Sequence, residues 1–325
     1  MKVLVTGGAG FIGSHIVERL LRAGVQVCVL DNLCTGSLAN LPHGVAFHQR
    51  DIRDNEITEY FMEQRFDYVV HQAAQTMVPK SLLDPRYDCD VNVLGLVNVL
   101  EACRLSGVKR VVFASSAAVY GDTEKLPIEE TAQKNPTSFY GLSKLTEELY
   151  LDMYNRNFGL EYVVLRYANV YGERQGDSGE GGVISIFTKQ MLTGQPLKVF
   201  GDGTQTRDFV YVRDVAEANY QALLTRHSGR VYNISTGKEV SVNTLIELLA
   251  RAIGVVPTVK YTLNRGSDIS RSALLNKAAQ VFLQWQPRYS LFKGLEMTLA
   301  KMQENTSVMR TNTCFAKEFE DLYPA

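Results

Sequence analysis

Cysteine is sparse in this sequence and poorly placed for crosslinking. The 325-residue chain has five, Cys28, Cys34, Cys89, Cys103 and Cys314, odd in number and far apart. They offer neither a disulfide framework nor the paired spacing of a zinc site, so the expected compartment is the reducing cytoplasm, with no metal bound. No charge sign predominates: 34 lysines and arginines stand against 35 aspartates and glutamates. That balance leaves no electrostatic footprint for nucleic acid or an anionic membrane, and neither is expected as a partner. No apolar run is long enough to span a bilayer. The first residues enter a β-branched run directly, without the basic region and cleavage site of a secretory signal, so none is expected. Internal repeats and low-complexity tracts are missing too. What is left, 45% apolar and 21% charged residues, suits one large globular domain or two unequal ones.

The most informative stretch present is Val3, Leu4, Val5, Thr6, Gly7, Gly8, Ala9, Gly10, Phe11, Ile12, Gly13. Its apolar start predicts a buried parallel strand, and Ile12, Ile16, Val17, Leu20 and Leu21 predict a helix after the glycine turn. Gly7 and Gly10 let the main chain turn tightly and approach a pyrophosphate. Gly13 lets the helix pack close, and the helix N-terminus, beginning at Phe11 and Ile12, faces the anion. A second strand, residues 25–30, ends in Asp31, whose carboxylate can accept from both hydroxyls of a ribose. Glycine turns alone are common; strand, turn, helix and a following acid together predict dinucleotide binding.

Strands are predicted near residues 45–48, 67–71, 110–114 and 162–167, and helices at 55–65, 91–106 and 138–157. The alternation implies an α/β fold, a Rossmann-type doubly wound parallel sheet that gathers ligands at the carboxyl ends of its strands. After Tyr171 the pattern changes. A glycine-rich and charged loop at 172–182 precedes shorter elements: helices at 183–193 and 214–224, a strand at 198–200, and segments at 231–234, 242–253 and 291–302. These predict a smaller C-terminal substrate-binding lobe: residues 1–171 as the dinucleotide domain, 172–325 as a lobe interleaved with it. The last twenty residues are polar, without a clear period, and no element is assigned there.

Tyr140 and Lys144 are four apart on the long helix and share a face. A lysine beside a phenol favours the phenolate and lowers the tyrosine pKa, so Tyr140 is expected to move protons to and from a hydroxyl near neutral pH. Ser116, at a strand end, is expected to hydrogen-bond the same hydroxyl. Such a pair alone is usually a solvated helix face; after a dinucleotide-binding half and beside a strand-end serine it reads as catalytic.

Together these stretches resemble the extended short-chain dehydrogenase/reductases, within them the NAD-dependent nucleotide-sugar epimerases similar to UDP-glucose 4-epimerases. The resemblance covers about residues 1–305 and runs in order through Thr6 to Gly13, Asp31 with Asn32, Asp51 with Ile52, His71 to Ala74, Asn92, Ser115 to Gly121, Tyr140 with Lys144, Arg166 to Gly172, Gly201 to Asp208 and Arg265 to Asp268. It implies NAD that is reduced and reoxidised within one cycle, with Tyr140 as base, Lys144 as its partner and ribose ligand, and Ser116 as the third catalytic group. It further implies cofactor contacts from Asn32, Gly36 and Asn92, adenine contacts from Asp51 and Ile52, and a cofactor wall of Gln72, Ala73 and Ala74, with Tyr167 and Val170 near the nicotinamide. Asp31 favours NAD over NADP, since a 2′-phosphate would meet its charge. On the substrate side it implies Arg207, Arg265 and Asn169 for the diphosphate, Lys198 and Phe200 for uracil, and Asp268 for ribose. Three positions depart from the family pattern. Gly182 stands where relatives carry a diphosphate asparagine, shifting that contact to the main chain of Gly182 or Val183; Thr76 replaces a cofactor-contacting lysine; Ser267 replaces a glycine.

The residues after Ser116 separate reactions. Related 4,6-dehydratases place an acid pair there to eliminate water; this chain has Ala117 and Ala118. The resemblance then implies 4-epimerisation of UDP-hexoses, with a 4,6-dehydratase, a uronate epimerase or a non-catalytic dinucleotide-binding protein as alternatives. In the family a residue beside sugar carbon 2 gates substrate size, and Ser272, four past Asp268, takes that place, leaving room for an N-acetyl group. Apolar surface on the helices at 91–106 and 138–157 implies, by the same resemblance, a homodimer built on a four-helix bundle.

Overall fold

The computed structural model describes residues 1–176, 182–263 and 269–302. The first half runs β1 (Lys2–Thr6), α1 (Phe11–Arg22), β2 (Gln26–Asp31), β3 (Ala46–Gln49), α2 (Ile57–Gln64), β4 (Tyr68–His71), α3 (Val78–Leu83), α4 (Pro85–Cys89), α5 (Gly95–Ser106), β5 (Arg110–Ser116), α6 (Phe139–Phe158) and β6 (Glu161–Tyr167). The second half adds β7 (Asn169–Tyr171), α7 (Val183–Leu192), β8 (Leu197–Phe200), β9 (Thr206–Arg207), β10 (Phe209–Tyr211), α8 (Val212–Leu224), β11 (Arg230–Ile234), β12 (Val240–Ser241), α9 (Val242–Ile253), β13 (Val259–Thr262) and α10 (Lys277–Phe282), with a further helix over 291–302.

Seven strands form one parallel sheet in the order β11-β6-β5-β4-β1-β2-β3. The chain moves outward from β1 to β3, then returns to place β4 on the other side of β1. Helices at this reversal diverge, and the carboxyl ends of β1, β2 and β4 open onto a crevice. Both faces of β1 are buried: Val3 and Val5 pack with Ile16, Val17 and Leu20 of α1, and Leu4 packs in the opposite layer with Ile57, Leu96 and Leu100. This two-sided burial explains why the strand reads as an unbroken apolar run.

The second half does not remain apart. β11 pairs with β6 as the seventh strand, and α8 packs on α1. The other elements surround a third core of Tyr171, Phe187, Leu197, Val199, Leu245 and Leu249.

In the first half, two stretches differ from the sequence expectation. Residues 78–89, assigned no element, form α3 and α4, each with a proline in its first turn and Asp84 capping α4 by accepting from Tyr87 N. The helix expected over 91–106 begins as a π turn, Asp90–Leu94, before α5. That turn holds Asn92 inward, where its amide bonds both main-chain groups of Gln75 at 2.8 and 3.0 Å.

Candidate active site

The glycine turn after β1 forms one end of the crevice. A Cβ on Gly13 would overlap the Gly7 carbonyl, so only glycine allows α1 to begin this close to the strand. The N-cap of α1 is Gly10, with no side-chain cap and no acid in the first turn, while Arg19 and Arg22 occupy the last. The first main-chain N–H groups therefore face the crevice, as an anion requires. Asp31 ends β2 and accepts from Ala9 N at 2.9 Å and Leu33 N at 2.8 Å. Burial raises its pKa, against the pull of these two N–H groups. Asn32 donates to Asp51 at 2.8 Å, and Arg53 joins Asp51 to Asp90. These bonds, Arg53 foremost, hold the Asp51 carboxyl well below the usual range.

The catalytic candidates converge at the middle of the crevice. Ser138 caps α6, accepting from Gly141 N at 3.1 Å, so Tyr140 and Lys144 lie in its first turns. A Cβ on Gly141 would stand 2.6 Å from the Ala118 carbonyl oxygen; its absence lets α6 approach the turn that follows β5. Tyr140 thereby comes up beside Ser116, which accepts from Ala118 N at 3.2 Å. Lys144 is buried with Nζ 4.7 Å from the centre of the Phe113 ring and 3.0 Å from Glu147 Oε2. The expected lowering of the Tyr140 pKa is corrected here. Lys144 and Ser116 do act downward, but burial outweighs them and Glu147 and Asp88 oppose them, so the phenol is raised in this ligand-free state. Beneath the lysine, burial first and Lys144 second lower the His71 pKa to about 3, and its Nδ1 lies 2.8 Å from Thr6 Oγ1. Arg166 grips Glu148 with two bonds of 2.9 and 2.5 Å, and Ser115 donates to the same carboxylate at 2.5 Å. This buried pair ties α6 to β6 and β5.

The crevice has a volume of about 990 Å³. Its walls include Gly7, Gly10, Phe11, Ile12, Asp31, Asn32, Asp51 and Ile52 at one end, Gln72, Ala73, Ala74, Ser116, Tyr140, Lys144, Tyr167 and Val170 in the middle, and Asn169, Gly182, Arg207 and Ser272 at the other. Tyr167 is fixed there by Gln72 and Asn219 at 3.1 Å each. Several expected site residues lie off the walls. Asn92 is fully buried and reaches the crevice only through Gln75, while Gly36 packs on Ala9. Val183 packs on the third core. Lys198 and Phe200 stand together on β8, the ammonium 4.9 Å from the ring centre. Arg265 and Asp268 lie outside the described residues, as do the last twenty.

Residues 3–235 match the family model described as the NAD dependent epimerase/dehydratase family. The chain belongs to that family. A putative UDP-glucose 4-epimerase from Methanocaldococcus jannaschii is 47% identical over 304 residues, covering 93% of this chain and 99% of the relative. The solved UDP-glucose 4-epimerase of Thermotoga maritima, holding UDP-glucose, superposes with a TM-score of 0.92 at 41% identity, covering 94% of this chain and all of that one. The Thermus thermophilus UDP-glucose 4-epimerase in complex with NAD gives a TM-score of 0.88 at 44% identity, covering 92% of this chain and 98% of that one.

The crevice fits the family's dinucleotide by its own geometry. No side chain fills the Gly7–Gly13 cradle, α1 presents uncapped N–H groups, and the Asp31 carboxylate waits at the end of β2. Sequence reasoning missed other wall residues, among them Gln75, Arg174 and Gln175. Arg174 spans from Glu18 of α1 at 2.7 Å to the Asn40 carbonyl at 3.0 Å. A left-handed φ of 68° at this non-glycine residue has no sequence signature that would have found it.

Proposed function

We propose that this NAD-dependent enzyme is a 4-epimerase of UDP-hexoses, interconverting UDP-glucose with UDP-galactose. The observation that carries the reading is Tyr140, beside Ser116 and one helical turn from Lys144, on the wall of a crevice that begins at an uncapped dinucleotide turn. NAD, when bound, supplies the hydride acceptor and donor. Tyr140 takes the proton from the hydroxyl on sugar carbon 4 and later returns it to the new epimer. Ser116 orients that hydroxyl, and the Lys144 ammonium favours the phenolate and would hold the ribose of the bound cofactor. Ala117 and Ala118 line the crevice beside Ser116, and neither can expel a hydroxyl as acid or base. The absence of an acid there favours rotation of the oxidised sugar and return of hydride over elimination.

On the substrate side, Arg207, Asn169 and Gly182 suit the diphosphate, with the N-terminus of α7, uncapped by a side chain, beside them. Ser272 on the wall leaves room at sugar carbon 2, so UDP-N-acetylglucosamine and UDP-N-acetylgalactosamine are substrates as well. The enzyme works as a homodimer through α5 and α6, whose outer faces expose Leu105, Leu142, Leu149 and Met153. Incubation of the purified protein with UDP-glucose, and separately with UDP-N-acetylglucosamine, followed by sugar analysis tests the reading. It calls for a mixture of carbon-4 epimers from each. A dehydrated sugar, or unchanged substrate with NAD present, overturns it.

A further inference from the structure

A buried carboxylate stands beside the lysine, and the reaction above makes no use of it. Glu147 lies three residues after Lys144 on α6 and is completely buried, with Oε2 3.0 Å from the ammonium. Neither oxygen has a hydrogen-bond partner among the described residues, so Lys144 meets the carboxylate as an ion pair alone. The neighbouring acids are satisfied otherwise. Glu148 is held by Arg166 and Ser115, and Asp88 of α4 accepts from Gln75 at 2.7 Å and Ser143 at 2.5 Å. A buried carboxylate with no hydrogen bond to either oxygen is costly to keep for packing alone.

The groups around it define what it acts on. Lys144, Glu148 and Tyr140 come from α6, Asp88 from α4, His71 from β4, and the Phe113 ring of β5 lies beside the ammonium. Lys144 stabilises the phenolate of Tyr140, and the Glu147 charge opposes it.

We propose that Glu147 is a positioning residue for proton transfer: as the buried counter-charge of Lys144, it restrains how strongly that ammonium favours the ionised form of Tyr140. Burial raises the Glu147 carboxyl to about 7, with Asp88 and Glu148 acting in the same direction and Lys144 against it. The carboxyl therefore changes charge near neutrality. When it is protonated, the ammonium acts on the phenol unopposed.

This inference rests on Tyr140 being the proton-transfer group, and the test separates the two. Glu147→Gln removes the charge and keeps the shape; Glu147→Met serves if the amide does not fold. Two readouts follow each variant: the acid limb of kcat against pH with UDP-glucose, and the tyrosinate absorbance of the purified protein after subtracting a Tyr140→Phe titration. Both midpoints are expected about one pH unit below wild type. Midpoints that stay in place or rise in a folded variant overturn the role of Glu147. A Tyr140→Phe enzyme that retains the wild-type rate overturns the underlying assignment of the base instead.

Discussion

Tyr140 brings a proton-carrying hydroxyl to the middle of the crevice, beside Ser116. Tyr140→Phe removes the oxygen and little packing, so kcat should fall by about 100- to 10,000-fold with an unchanged melting temperature. Steady-state kinetics beside thermal denaturation check both halves. Ser272→Tyr should suppress turnover of the N-acetylated sugars far more than that of UDP-glucose, because a clash at carbon 2 penalises only the larger substrate. Equal loss on both substrates would remove Ser272 as the gate. At this scale the sequence was readable wherever spacing alone fixes position: a glycine turn after a strand, an acid at the next strand end, a tyrosine and lysine one helical turn apart. It was silent where depth decides. Asn92 takes a ligand's place in a linear pattern yet is fully buried behind Gln75. Glu147 looks like any helix-surface acid near a lysine until its burial is known.

Helix α6 carries polar side chains inward, with Ser143, Lys144, Glu147 and Glu148 buried, while Leu142, Leu149 and Met153 face outward. Its apolar period reports the outer face, which is why the inner network was not visible in the pattern. The Arg166–Glu148 pair joins this helix to the sheet. Glu148→Ala would strand a buried guanidinium and should cost about 3–5 kcal/mol, measurable by denaturant unfolding. Strand β4 adds a pH dependence through His71. Its pKa is lowered in the folded protein, so between 6.5 and about 3 the unfolded chain binds a proton that the folded one does not. Its contribution is complete above pH 6.5 and is lost as the pH falls. His71→Asn should therefore lose less melting temperature than wild type between pH 7 and pH 5; an equal loss would mean that the imidazole already carries its proton in the folded state. The short helices α3 and α4 escaped notice because each spans under two turns and begins with a proline, leaving no periodic stretch to detect.

Across the whole molecule, a doubly wound parallel sheet with its crevice at the strand ends was legible from alternation alone. The return of β11 to the far edge of the sheet was not, since strand order depends on contacts distant in sequence. The exposed apolar stripe of α6 belongs to this scale as well. Leu149→Glu with Met153→Glu should convert a dimer to a monomer at micromolar concentration by light scattering, and a wild-type monomer would remove the proposed interface. In this crevice a hydride leaves carbon 4 of a UDP-hexose and returns to the opposite face. UDP-glucose deuterated at carbon 4 tests this most directly. UDP-galactose with the deuterium still on carbon 4 is expected, even in ordinary water; product that has exchanged the label for solvent hydrogen, or no product at all, would rule out this hydride cycle.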